Sequence, residues 1–156
     1  MAQTPAPYRV AVILCEETLA TSATLPVEIF RNAEAFAVRG DRHCRTIAID
    51  TLTPDGAPIQ SASGFALTPT GAITPFRPYD LVHVPSLWRS PRRALRRHPD
   101  YLPWLREQHR AGATLTAVGT GTCLLAAAGL LDGKPATTHW HYFDQFQHDY
   151  PEVQLQ

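Results

Sequence analysis

Unbalanced charge is missing from this chain: fourteen Lys and Arg residues offset fourteen Asp and Glu residues, and the isoelectric point falls near 7.1. No global pull toward nucleic acid or an anionic membrane follows. Cysteine is scarce as well. Cys15, Cys44 and Cys123 follow no metal-ligand spacing, and an odd number of thiols on apolar segments suits reduced, buried side chains in a cytosol rather than a disulfide framework. Nothing approaches the roughly 20 apolar residues of a membrane span. The opening MAQTPAPYRV has no cationic start, and the apolar run at 10–15 is too short for a secretory signal. Lysine is nearly absent, and five of the arginines stand at 89, 92, 93, 96 and 97. Such a cluster reads first as a solvated helix face, with a nucleic-acid or partner patch as the alternative. The expectation is a soluble, cytoplasmic protein without cofactor, metal or membrane contact.

What is present is enough apolar content, 44% over 156 residues, for one domain with a substantial core. After a frayed, Pro-containing start, residues 8–15 (YRVAVILC) form a continuous apolar run of strand length, the pattern of a strand covered on both faces. Thr24-Leu25-Pro26 offers a cap and a first-turn proline for a helix that runs to Gly40, with Glu28 near its front. Residues 45–52 predict a second strand, Pro54-Asp55-Gly56 a turn, and residues 58–67 a short hairpin outside the main sheet. Residues 79–84 (YDLVHV) predict a third strand, ending at Pro85-Ser86-Leu87-Trp88, and residues 99–111 a helix.

The segment 113–140 (ATLTAVGTGTCLLAAAGLLDGKPATTHW) carries the chemistry. A Thr/Val run breaks at Gly119-Thr120-Gly121 and becomes a Leu/Ala run that closes at Asp132-Gly133, which reads as strand, sharp turn, helix. A Gly-rich turn into a helix leaves backbone N–H groups of residues 120–122 facing whatever lies over the strand's end. Beyond it, 134–138 reads as extended, 139–148 as a short helix and VQLQ as the beginning of a strand. Strands alternating with helices over short connections predict an open α/β sheet, mainly parallel, with helices on both faces. Ligands of such sheets bind beyond the carboxyl ends of the strands. Three loops are therefore expected to converge: the one after Cys15, the one at Ser86-Leu87, and Gly119-Thr120-Gly121.

The run GTGTCLLAAAGLLDGKPATTHW, with LPVEIF and YDLVHVP before it in order, resembles the DJ-1/PfpI branch of the class I glutamine amidotransferase-like superfamily. AAAGLLDG followed by ATTHW is similar, more narrowly, to the N-terminal domain of GlxA-type regulators of the AraC family. The resemblance implies a flavodoxin-like three-layer sandwich over residues 8–156, lacking its last C-terminal elements and any helix-turn-helix domain. It places the superfamily's elbow cysteine on Gly119, its acidic partner on Glu28, its histidine on His139, and its Gly-Gly loop on Ser86-Leu87. Acid, elbow and histidine are kept, and the thiol between them is not.

Glycine adopts the strained elbow conformation without steric cost, so Gly119 preserves the turn while deleting the reactive group. What survives is a pocket able to bind but not to attack, formed by Glu28, Ser86, Leu87, Gly119, Thr120, Gly121 and His139. Dipole attraction there contributes about 0.3–1 kcal/mol for an anion. Cys123 lies four positions into the helix and reads as a small buried hydrophobe, and Thr120 reads as a helix cap. His139-x-His141 has the wrong spacing for a helical metal site. Trp88 lines either the pocket or an interface. The resemblance implies a non-catalytic domain, homodimeric, that senses a small amine, amino acid or carboxylate, with DNA contacted only through a domain outside these residues. The alternatives are an enzyme of the same superfamily, a hydrolase, isonitrile hydratase or glyoxalase-like lyase, and a fragment kept only for dimerisation.

Overall fold

The computed structural model describes residues 5–40, 44–88 and 90–156. In chain order the elements are β1 (Tyr8–Ile13), α1 (Ala20–Gly40), β2 (Ile47–Thr53), β3 (Ile59–Gln60), β4 (Ala66–Leu67), β5 (Gly71–Ala72), β6 (Leu81–Val84) and α2 (Pro91–Arg97). There follow α3 (Tyr101–Arg110), β7 (Thr114–Ala117), α4 (Thr122–Ala127), β8 (Pro135–Ala136), α5 (Phe143–Asp149) and β9 (Gln154–Leu155). Single 3-10 turns occupy Gly119–Gly121 and Trp140–Tyr142. The frayed start falls in part on residues 1–4, and Arg89 of the arginine cluster also lies outside the described residues.

A parallel five-stranded sheet in the order β5-β2-β1-β6-β7 forms the frame, with β1 at its centre. Alternation along β1 explains the unbroken apolar run. Val10 and Val12 pack on one face with Ala23, Val27 and Phe30 of α1, whereas Ala11 and Ile13 pack on the other with Leu105 of α3 and Leu124 and Leu125 of α4. Each face must be covered because neither has polar side chains to meet water. This is the expected flavodoxin-like α/β sandwich. The hairpin pairs β3 with β4 outside the main sheet, as expected, and a short β9 pairs in parallel with β8. The two-residue edge strand β5 is not legible in the Thr-Gly-Ala sequence that forms it.

Two helix boundaries differ from the sequence expectation. The first helix begins at Ala20, so Pro26 stands inside it rather than at its start. Proline has no N–H to give the Ser22 carbonyl one turn back. That carbonyl is claimed instead by His83 of β6, whose Nε2 donates to it at 3.0 Å. The helix after the elbow ends at Ala127, not near Gly133. Gly129 takes the left-handed conformation at φ 69°, its N–H bonds to the Ala126 carbonyl, and the N–H of Leu130 reaches back to Leu125. This pair of bonds is a Schellman closure. Leu130 and Leu131 are apolar because they pack on the core, not because they continue the helix.

His83 is buried at 5% exposure, with Nδ1 3.0 Å from Thr116 Oγ1 of β7. Burial lowers its pKa, against a smaller opposing effect of the Ser22 carbonyl. A lowered folded-state value means that the unfolded chain takes up the proton first as the solution is acidified. Stability is fully present above the unfolded value of about 6.5 and is lost as pH falls toward the folded value. Urea midpoints of the wild-type chain should therefore drop as the pH falls below about 6.5, and His83→Gln should flatten that part of the profile.

Candidate functional site

The ends of β1, β6 and β7 lie side by side, so the loops that leave them meet. The first two are stitched by backbone: Leu19 N donates to the Ser86 carbonyl at 2.9 Å and Trp88 N to the Glu17 carbonyl at 2.6 Å. Thr18 and Leu87 form an isolated antiparallel bridge. Ser22, at the start of α1, accepts from Ser86 N at 3.0 Å through its hydroxyl. The third loop joins through Thr120, which is 2% exposed. Its Oγ1 accepts from Leu87 N at 2.8 Å and donates to the Leu87 carbonyl. Thr120 is thus a clip between loops and not the helix cap that its position suggests; the turn has no side-chain cap.

Both glycines of the turn are required, for different reasons. Gly119 sits at φ 52°, where an L side chain is strained, and a Cβ there would point between Ser86 Oγ, 3.0 Å away, and His139 Cβ, 4.0 Å away. Gly121 has an ordinary helical φ but lies directly on the end of β6. A Cβ there would stand 2.7 Å from the Val84 carbonyl oxygen and closer still to that of Pro85. The N–H groups expected to cradle an anion are largely committed. Gly121 N donates to the Val118 carbonyl at 3.0 Å, and Thr122 N to the carbonyls of Gly119 and Thr120. A tight 3-10 turn satisfies its own donors.

A cavity of about 420 Å³ opens over this junction. Ser86, Leu87 and Thr120 line its floor, Leu19 and Trp88 one side, and His139 with Trp140, His141 and Tyr142 the other. The 139–142 wall is held to the elbow by Thr138, whose hydroxyl donates to the Gly119 carbonyl at 3.1 Å. His139 stacks on Trp140 at 5.5 Å between ring centroids and meets Tyr142 edge-on at 6.1 Å. The structure therefore brings together Ser86, Leu87, Thr120 and His139, with Gly119 facing them, while Gly121 is packed into the junction beneath.

Glu28 is placed elsewhere. It is exposed and lines a separate cavity with Thr24, Val27, Ala66 and Leu67, between α1 and the β3–β4 hairpin. The early start of α1 is the reason: Leu19, just before the helix, lines the cavity, Ser22 in its first turn bonds Ser86 beneath it, and Glu28 is about 9 Å farther along the axis from Ser22, at 1.5 Å per residue. The wall residues Trp140, His141 and Tyr142 were also missed as site residues. Their signal was three ring side chains in succession after His139, too polar a run for a core. Cys123 is buried with Ala126, Phe146 and Val153, away from the cavity, and burial pushes its thiol up to about 12. Three of the arginines in the cluster serve ion pairs: Arg92 with Asp149, and Arg93 and Arg97 with Glu17.

Comparison with known proteins places this geometry. The DJ-1/PfpI family matches residues 8–153. The HTH-type transcriptional regulator CdhR of Pseudomonas aeruginosa is 39% identical over 104 residues, covering 67% of this chain and 30% of that protein. The isonitrile hydratase of Pseudomonas putida is 34% identical over 98 residues, covering 63% of this chain and 42% of that one. The crystal structure of an AraC family transcriptional regulator from Pseudomonas putida superposes with a TM-score of 0.74 at 24% identity, over 96% of this chain and 76% of that one, a likeness of fold. The chain thus spans less than half the length of these two curated relatives.

The junction makes two predictions for chemical denaturation. Thr120→Val orphans the buried N–H and carbonyl of Leu87 and should lower stability by about 2 kcal/mol. Gly121→Ala forces the turn off β6 and should cost about 1–3 kcal/mol, although Ala favours a helical φ. A neutral effect at both positions would contradict the described packing.

Proposed function

The chain belongs to the DJ-1/PfpI family, and from that premise we propose that it is the small-molecule-sensing domain of an AraC-type transcriptional regulator, without catalytic activity of its own. The observation that carries this reading is the elbow: Gly119 holds the left-handed conformation beside the cavity, and a side chain there would point between Ser86 and His139, which line it. Similarity to CdhR supports the regulator reading. The effector is a small amine, amino acid or carboxylate. The ring faces of Trp88, Trp140 and Tyr142 favour the amine end of that range, because an ammonium group is attracted to an aromatic face. DNA is contacted by a helix-turn-helix region of the larger regulator and not by these 156 residues.

The domain acts as a homodimer. Leu25, Ile29 and Phe36, spaced four and seven apart on one line of α1, are 56%, 58% and 74% exposed. An apolar helix row left in water is characteristic of an interface. The rival reading, an enzyme, draws on the isonitrile hydratase similarity. It lacks a nucleophile at the elbow, and the raised thiol of Cys123 lies in the core.

Titration calorimetry with small amines, amino acids and carboxylates should find at least one ligand, and Trp140→Ala should weaken it about tenfold or more. Binding by none of the three classes would refute the sensor reading. Turnover of an isonitrile or of methylglyoxal by the purified chain would refute the absence of catalysis. In sedimentation the chain should run as a dimer, and Phe36→Asp should shift it to monomer without loss of fold.

A further inference from the structure

Outside the cavity, one cluster holds a buried carboxylate oxygen that no described residue satisfies. A buried thiol, Cys15 at the end of β1, a carboxylate oxygen of Glu17 and a ring nitrogen of His98 lie within 4.8 Å of one another. Glu17 is 9% exposed and its Oε2 is buried with no hydrogen-bond partner among the described residues. An unpaired buried carboxylate oxygen is costly, and a fold that places it against a thiol and an imidazole has assembled a typical donor set for a thiophilic divalent cation. We propose that Cys15, Glu17 and His98 bind a zinc-type divalent metal ion, with a fourth position open to water.

The surroundings orient each donor. Glu16 Oε2 lies 2.6 Å from His98 Nε2, a contact of the kind by which a carboxylate orients a ligating imidazole. The His98 ring also packs on Tyr101 with centroids 5.9 Å apart. Cys15 Sγ rests 3.6 Å from Thr18 Oγ1. Arg93 and Arg97 take the other oxygen of Glu17, Oε1, at 3.2 and 3.6 Å, and so hold the carboxylate while leaving Oε2 to the metal. Their charge is balanced by Glu16 and Glu17, and binding releases the Cys15 proton, so the thiolate offsets half the charge of the incoming ion. Tetrahedral ligands around zinc stand about 3.5 Å apart, so donors that lie within 4.8 Å of one another close by up to about 1.3 Å on binding.

The test is equilibrium dialysis of the purified chain against Zn2+, together with Co2+ substitution read by absorption. We expect about one metal per chain and a cobalt–thiolate charge-transfer band. Cys15→Ser should abolish the band. Glu17→Gln and His98→Gln, checked for fold by circular dichroism, should each weaken binding about tenfold or more. Should Cys15→Ser fail to fold, those two variants and the wild-type cobalt spectrum decide the matter. The proposal is overturned by sub-stoichiometric zinc, by a cobalt complex without the thiolate band, or by a band that survives Cys15→Ser and disappears in Cys44→Ser.

Discussion

At the carboxyl end of the sheet two backbones meet with no side chain between them: the turn after β7 lies on the last carbonyls of β6 because residue 121 is glycine. That approach sets everything above it. It brings Thr120 within reach of the main chain of Leu87, where one hydroxyl satisfies a donor and an acceptor that the loop's own conformation leaves open. The loop in turn fixes Ser86, and Ser86 receives the loop after β1 through Leu19 and Ser22. Three strand ends thereby become one rigid floor, and a site built on such a floor keeps its shape without a ligand.

The elbow above this floor is relaxed rather than strained. An L side chain at φ 52° would be strained, and glycine takes that conformation without steric cost. The space is bounded instead by rings contributed by residues 139–142 and by Trp88. Electrostatics follow the same logic of local closure. Three of the four arginines of α2 pair with Asp149 and Glu17, so they pin α2 to α5 and to the loop after β1.

Much of this was legible in the residues. Buried β1 and β6, the hairpin of β3 and β4 and the Gly-Thr-Gly turn follow from apolar period and turn chemistry, which are local properties, whereas His139 was expected at the site only through the family resemblance. Where the reading failed, a distant partner had changed the local rule. Pro26 looked like a helix start because sequence alone does not reveal that His83 would take the carbonyl that proline leaves free. Glu28 was expected at the mouth because the family resemblance placed the acidic partner there; α1 starts at Ala20, Leu19 just before it lines the cavity, and Glu28 lines a separate one.

By itself, then, the order of residues determined the layers of the sandwich and the position of the elbow turn, since each depends on backbone preference and apolar alternation over a few residues. Only the tertiary structure decided what stands around that elbow. The role of Thr120 as a clip, the ring wall at 139–142 and the meeting of Cys15, Glu17 and His98 join residues up to 83 positions apart (98 − 15). Such meetings depend on which strand ends the sheet order sets side by side, and no local propensity encodes that distance.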